Sequence, residues 1–374
     1  MKDNQHYPVI IVGGGPAGLA TALTLSARGV SYALIEAQAT PIQKPGEAIP
    51  PNARPLLRQL GLENLMLAKE HHQYYGNKSC WGSEELVQEE FMKTLHQHGY
   101  LLDRKHFEGQ LRNLAKTGLG TFYEAYRCRG ISRKGDGFVL EINNGQTTQN
   151  LYADYLVDAT GRKASLCRHL GIETNHLDQQ FGLTMQVQLS TLVAQQIYIE
   201  ATKRGWWYAA PMGKQKLSLM FFTLKELLPR KANQISFLKR QLKASPLMTN
   251  LVKDSTFDQA AIRLMPAGTS RLNKPYGHRW IAVGDAAYAY DPISSYGITS
   301  GLASGYYGAH ALAATMRGDQ EALSVYHYLM ERAFQAYLQK LYVHYDQEKR
   351  WSGELYWQNR LGLKKRESSV AQEG

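Results

Sequence analysis

Three motifs far apart in the chain carry residue types that hold a dinucleotide. The first is Gly13-Gly14-Gly15-Pro16-Ala17-Gly18 and the second is Asp158-Ala159-Thr160-Gly161-Arg162. The third is Gly284-Asp285-Ala286-Ala287, running on to Asp291-Pro292 and Gly297-Ile298-Thr299-Ser300-Gly301. In the first, Gly13 permits a tight turn, Gly15 lets a pyrophosphate approach the backbone, and Gly18 lets helix and strand pack closely. Pro16 and Ala17 open the helix whose N-terminus faces the phosphates. Glu36 lies at the end of the next apolar run, where its carboxylate can accept from ribose hydroxyls and disfavours a 2′-phosphate. Asp285 follows an apolar strand and would reach a ribitol hydroxyl, while Gly284 lets the backbone approach the ligand. A helix expected over 297–317 starts with Gly297 and Ile298, just beyond Pro292. Its positive end would stabilise an anionic reduced flavin. Thr160 and Gly161 close the site by packing. In this order the motifs fit the separate parts of FAD and imply redox chemistry.

The elements that must position these residues can be read from periodicity. Val9 to Val12 is a short β-branched run that reads as a buried strand. Leu19, Ala22, Leu23 and Ala27 give the next segment a helical apolar face, and Gly29 ends it. Tyr32 to Ile35 is a second strand, so the chain opens as a βαβ unit of a parallel sheet. Residues 41–55 form an irregular proline-rich loop. Phe107 to Ala115 has helical periodicity. Phe138 to Ile142 and Leu151 to Val157 read as strands joined by an Asn143-Asn144-Gly145 turn. Residues 181–224 alternate as an antiparallel sheet does, and 233–252 read as helices. Trp280 to Val283 returns to a buried strand. Phe334, Tyr337, Leu338, Leu341, Tyr342 and Tyr345 make an aromatic helical stripe, either core or a partner surface.

The expected fold is therefore α/β. A discontinuous Rossmann-like FAD-binding domain (1–70, 96–170 and 262–318) carries an inserted antiparallel-sheet substrate domain (71–95 and 171–261). A C-terminal helical segment spans 319–374. A length of 374 residues suits about two domains.

Composition excludes several classes. No apolar stretch approaches the ~20 residues of a membrane span, and residues 1–8 lack a signal-peptide core, so a cytoplasmic location is expected. Cys80, Cys128 and Cys167 are odd in number and form no CxxC pair, which suggests neither a disulfide framework nor zinc. The 12 histidines show no ligand spacing, and no metal site is expected. His71-His72 could shuttle protons or simply pack. The formal net charge of +11 accompanies no nucleic-acid motif. It suits anionic cofactors and an acidic protein partner, or a solvated surface.

Taken together, the motifs resemble the class A flavoprotein monooxygenase and flavin-dependent halogenase superfamily. Gly46-Glu47-Ala48-Ile49-Pro50-Pro51 is similar to the flavin loop of halogenase-like members. Cys80-Trp81-Gly82-Ser83, Leu102-Asp103-Arg104 with Phe107, and Gly205-Trp206-Trp207-Tyr208-Ala209-Ala210-Pro211 also match. Tyr345, Glu348, Arg350-Trp351 and Trp357 resemble the C-terminal signature of the LodB/GoxB group, flavoproteins that mature cysteine tryptophylquinone in LodA-like amino-acid oxidases. The resemblance spans nearly the whole chain. It implies that Arg104 contacts the FAD phosphates and that Glu47 and Ala48 lie beside the flavin ring. Halogenases carry Trp-x-Trp-x-Ile-Pro. Here Tyr208 replaces the second Trp and Ala210 the Ile, and Lys78 is no convincing halogenating lysine.

The resemblance implies an FAD-dependent monooxygenase that hydroxylates a tryptophan of a LodA-like oxidase precursor, the glycine-oxidase type being favoured. O2 would be co-substrate and NADH or NADPH a transient reductant, since no second nucleotide motif is present. The alternatives are a small-molecule halogenase or aromatic hydroxylase, and a non-catalytic FAD-containing maturation partner. Strand alternation would turn Trp206 and Tyr208 together, toward the substrate side of the flavin with Glu47, and Trp207 away. The segment with Arg350, Trp351, Trp357 and Arg360 has the composition of an interface hot spot. It is expected to dock the precursor or brace the cleft, so that truncation after Lys349 spares FAD binding.

Overall fold

The β-branched run read near the N-terminus is the centre of a parallel sheet. In the computed structural model, which describes residues 5–93, 95–213, 215–253, 255–257 and 262–363, the first strand is Gln5–Val12. Thr148–Asp158 pairs on one side of it and Tyr32–Glu36 on the other, both parallel. Trp280–Ala282 and Gly120–Glu124 extend the sheet outward, again parallel. Val9, Ile10 and Ile11 are wholly buried, as expected where helices cover both faces of a sheet. The Asn143-Asn144-Gly145 turn joins Gly137–Asn143 to Thr148–Asp158. The Asn143 side chain accepts from the Gly145 amide at 2.6 Å, and that of Asn144 accepts from Thr147 at 2.8 Å.

Two helices meet above the phosphate end of this sheet. Pro16–Ala27 lies against Gly297–Met316, and their approach demands a glycine. A Cβ on Gly305 would fall 2.2 Å from the Ala17 carbonyl oxygen. The short distance between the helices brings the first and third motifs into contact.

The second sheet runs in the order Gln180–Gln188, Lys216–Leu224, Gly205–Pro211, Ile197–Thr202, Gly76–Cys80, Val87–Glu90. Its pairings are antiparallel except that of Ile197–Thr202 with Gly76–Cys80. Arg263–Pro266 also pairs with Gln180–Gln188, so the chain leaves this sheet only after Pro266. The two-residue period divides the faces. Trp206, Tyr208 and Ala210 join the large core facing the FAD-side elements. Trp207 and Ala209 pack with Phe237, Leu238 and Met248 of the helices Gln234–Lys243 and Pro246–Leu251.

The C-terminal helices Ala322–Asp346 and Leu355–Leu361 correct one expectation. Phe334, Leu338, Leu341 and Tyr345 are buried, and so are Tyr356, Trp357 and Arg360. The Trp357 indole donates to the Thr202 carbonyl at 2.9 Å, and its ring lies 5.4 Å from that of Trp81. Trp81 donates to the His344 carbonyl at 2.9 Å, and the buried Glu348 accepts from the Gly82 amide at 2.9 Å. The Trp81 motif and the C-terminal signature are thus two halves of one core. This segment is not a free docking surface. Trp and Tyr at helical spacing bury large area whether the covering partner is another chain or this one. Among the described residues no helix is long and apolar enough to cross a membrane.

Candidate active site

The nucleotide cradle is built from backbone. Gly13 has φ +112°, and a Cβ there would lie 2.2 Å from the Ala159 carbonyl oxygen. A Cβ on Gly18 would lie 1.9 Å from the Gly13 carbonyl oxygen. These two glycines hold the first and second motifs together. By contrast, a Cβ on Gly15, Gly161 or Gly297 meets no protein atom within 4 Å. The open side of Gly15 lies at the start of Pro16–Ala27, whose N-terminus has no side-chain cap. The N-terminus of Gly297–Met316 is uncapped as well. Two helix ends with free amides beside open glycines fit the anionic parts of FAD. Glu36 accepts from the Gly14 amide at 2.7 Å and the Gln38 amide at 2.7 Å. This fixes its carboxylate at the strand end, with lone pairs remaining for ribose hydroxyls.

The second motif works through side chains. Buried Asp158 accepts from the Thr160 amide at 2.9 Å, the Thr160 hydroxyl at 2.7 Å and the Cys167 amide at 2.9 Å, shaping the Thr160-Gly161 turn. Arg162 then reaches across to Asp285, 3.2 Å away, and donates to the carbonyls of Tyr290 and Gly268. Asp285 is half-buried, and burial raises its carboxyl pKa against the pull of Arg162 and Arg104. Gly284 has φ +61°, and a Cβ on it would press within 2.7 Å of the Ala17 side chain.

Arg104 is held at the start of Arg104–Lys116, where Asp103 caps the helix by accepting from His106 at 2.8 Å. Its guanidinium donates to the carbonyls of Pro45 at 3.1 Å and Gly46 at 2.7 Å, and to Glu108 at 2.5 Å. It therefore pins the 41–55 loop, and its buried Nε keeps no partner. The loop presents Glu47, with Ala48 in a short strand pairing Leu101. Glu47 is 2% exposed; its Oε1 accepts from Ser218 at 2.8 Å, and its Oε2 has no partner. Burial raises its pKa, opposed by Ser218 and Arg104. The Tyr208 hydroxyl is pushed well above the ordinary tyrosine range by burial and by Glu47 and Tyr74. Ser218, which holds Glu47, stands opposite Ala210 on the strand face that Tyr208 shares, so loop and inserted sheet are joined there. Trp206 takes no part in that junction. It is fully buried, stacked on Phe222 at 4.3 Å, with its indole donating to Gln180 at 3.4 Å.

One buried network was not anticipated from sequence. Arg360 lies 3.0 Å from Asp178 and 3.4 Å from Asp291, all three side chains fully buried. Asp291 also accepts from Gln180 at 3.1 Å and Tyr345 at 3.0 Å, and its amide donates to the Tyr337 hydroxyl at 2.7 Å. Burial would raise Asp178, but Arg360 overrides it and holds that carboxyl low; burial raises Asp291 despite Arg360. The network roots the segment running to Pro292, Gly297 and Ile298. Its traces in the sequence are Asp291 of the third motif, Tyr345, and Arg360, which shares a helix face with Tyr356 and Trp357. Among the described residues no cluster could hold a metal ion.

A family model described as FAD binding domain matches residues 6–340. The FAD-dependent oxidoreductase LodB of Marinomonas mediterranea is 28% identical over 365 residues, covering 95% of this chain and 97% of that protein. Among solved structures, the flavin-dependent halogenase CmlS superposes with a TM-score of 0.86 at 20% identity, covering all of this chain and 70% of the halogenase. QhpG, a peptidyl tryptophan dihydroxylase essential for tryptophylquinone cofactor biogenesis, superposes with a TM-score of 0.77 at 22% identity, covering 95% and 78%.

Proposed function

The chain belongs to the FAD-binding-domain family and is a flavin-dependent oxidoreductase. On that premise we propose that it hydroxylates a tryptophan of a partner protein, the precursor of a LodA-like amino-acid oxidase, during cysteine tryptophylquinone biogenesis. The glycine-oxidase type is the favoured partner. The observation that carries the reading is similarity to LodB over 95% of the chain, and the QhpG likeness in fold accords with it.

FAD, when bound, would supply the oxygen-activating redox chemistry that an electron-rich indole needs. One oxygen atom converts an indole C–H to C–OH and the other leaves as water; NADH or NADPH provides the hydride, and solvent a proton. The chain's own residues bind, orient and exclude water. Gly13, Gly15, Pro16, Ala17, Gly18 and Glu36 hold the adenosine and pyrophosphate end. Asp285, oriented by Arg162, would meet the ribitol, and Thr160, Gly161, Gly284, Pro292, Gly297 and Ile298 would line the flavin side. Arg104 shapes the loop that brings Glu47 and Ala48 to the ring. Burial raises the Glu47 carboxyl pKa there, and its Oε2 keeps no protein partner. No nucleophilic side chain is required.

Mass spectrometry of the oxidase precursor, co-expressed with and without this chain, tests the reading. Oxygen-dependent gain of oxygen on one tryptophan is the expected result. A chloride-dependent gain on a small aromatic molecule would instead make the chain a halogenase. Bound FAD that never cycles beside the precursor would make it a non-catalytic maturation partner.

A further inference from the structure

Beyond the Gly13–Gly18 turn the structure holds a cavity of about 510 Å³, within the range that buries small organic groups. It lies between the first turns of Gly297–Met316, the segment leading to them, and the helix Ala322–Asp346. Gly284 is shared with the nucleotide site, but Glu47, Tyr208, Asp285 and the Gly13–Gly18 turn are not part of its wall. The wall is largely aromatic and aliphatic, with Tyr290, Tyr337 and Leu341 among its members.

Two polar groups in that wall have no use within the fold. Thr299 is 8% exposed and its hydroxyl is buried without a hydrogen-bond partner. The Nε2 of His344 is also buried and unpartnered. Burial lowers the His344 pKa to about 4, so the ring is neutral near pH 7 and one of its nitrogens can accept. A buried polar atom left unpaired costs free energy, and a ligand donor arriving there would remove that cost. At the exposed end of the same wall stands Lys340, which forms no ion pair among the described residues. The chain as a whole carries a formal charge of +11.

We propose that this cavity seats an aromatic anchor residue, tryptophan or tyrosine, carried on an acidic segment of the partner protein. The ring lies among the tyrosines, its N–H or O–H turns to the Thr299 hydroxyl or His344 Nε2, and a flanking carboxylate meets Lys340. Aromatic residues with one polar tip are the usual anchors of protein interfaces. The occupant is a docking residue, since Glu47, Tyr208 and Asp285 stand outside the cavity wall. The inference rests on the proposed protein substrate and adds where that substrate is gripped.

The probe is a fluorescent peptide of Asp and Glu around a single Trp, titrated into the FAD-loaded protein, with its Trp→Ala and Trp→Phe versions as controls. The Trp peptide should bind, and the Ala version should bind at least about tenfold more weakly. Ala303→Phe fills the cavity from its wall and should weaken the Trp peptide to the same degree. Thr299→Val should weaken the Trp peptide more than the Phe one. Lys340→Glu, at an exposed position, should weaken binding and flatten its salt dependence. Equal binding of the Trp and Ala peptides, or wild-type affinity in both Ala303→Phe and Lys340→Glu, would overturn the inference. So would free tryptophan binding as tightly as the peptide. The same variants separate this inference from the functional one. Precursor that gains oxygen at an unchanged KM in Ala303→Phe refutes the anchor alone. Precursor that gains none with the wild-type chain, while the Trp peptide still binds through the cavity, refutes the chemistry alone.

Discussion

Arg360→Met leaves Asp178 and Asp291 inside the protein without their guanidinium. The wild-type contacts are 3.0 Å and 3.4 Å from Nη1 to the two carboxylates, and 3.3 Å from Nη2 to Asp178, with no exposure of any of these side chains. Methionine retains most of the packing against Tyr345 and Tyr356, whose rings lie 5.2 and 5.3 Å from the guanidinium carbon. The loss is therefore electrostatic. Removing one partner of a buried pair costs about 3–5 kcal/mol, a large part of the ~5–15 kcal/mol that holds a typical domain folded. Urea denaturation followed by tryptophan fluorescence should show that deficit. The deficit should also depend on pH. In the wild type Asp178 is held low, so its contribution is present above the unfolded carboxylate pKa and lost as pH falls through the folded one. In the variant the unpaired carboxyl is raised by burial, so acidification relieves it and the deficit narrows. Adding Asp178→Asn should restore part of the stability, since neutralising both sides of a buried pair costs less than removing one. A loss below about 1 kcal/mol, the size of a surface ion pair, would refute the reasoning. Truncation after Lys349 removes Trp357 together with Arg360 and is expected to abolish folding and FAD retention. A soluble truncated chain that binds FAD would contradict the core assignment.

Gly15→Val should lower FAD affinity at least about tenfold with little change in apo-protein melting, because a Cβ there meets no protein atom within 4 Å. Gly18→Val should unfold the first motif instead, since its Cβ would collide with the Gly13 carbonyl; fluorescence titration and calorimetry separate the two outcomes. Asp285→Asn should weaken FAD binding by roughly 1–3 kcal/mol while releasing Arg162, and unchanged flavin affinity would remove the ribitol contact from the scheme. His71 and His344 are both lowered to about 4 by burial, so the native state binds fewer protons than the unfolded chain between about pH 4 and 6.5. Their stabilising contribution is complete above that window and is lost as pH falls through it, about 2 kcal/mol each by about pH 5. Urea midpoints measured across the window should fall, and His71→Gln or His344→Gln should each flatten the slope.

Much of the cradle was legible because its demands are local. A strand, three glycines, a proline in the first helical turn and a terminal acid are constraints between near neighbours, and Gly13 and Gly18 occupy positions where a Cβ would strike backbone. The inserted sheet was legible for the same reason: side chains alternate, so Trp206 and Tyr208 fall on one face and Trp207 on the other. Alternation could not say what each face meets. Both inward residues were expected beside the flavin. Tyr208 shares a strand face with Ala210, whose cross-strand partner Ser218 holds Glu47, whereas Trp206 is closed off by Phe222, Trp81 and Gln180. The C-terminal stripe had a clear helical period, yet period does not distinguish a surface kept for another chain from one covered, as Tyr345 is, by Trp81 and Asp291. Partners in charge are less legible still. Nothing in the spacing of Arg162 and Asp285, or of Asp178, Asp291 and Arg360, marks them as neighbours. Local backbone geometry and side-chain period are written in consecutive residues. Which distant carboxylate meets which guanidinium depends on how the finished elements pack, and only the tertiary structure decided it.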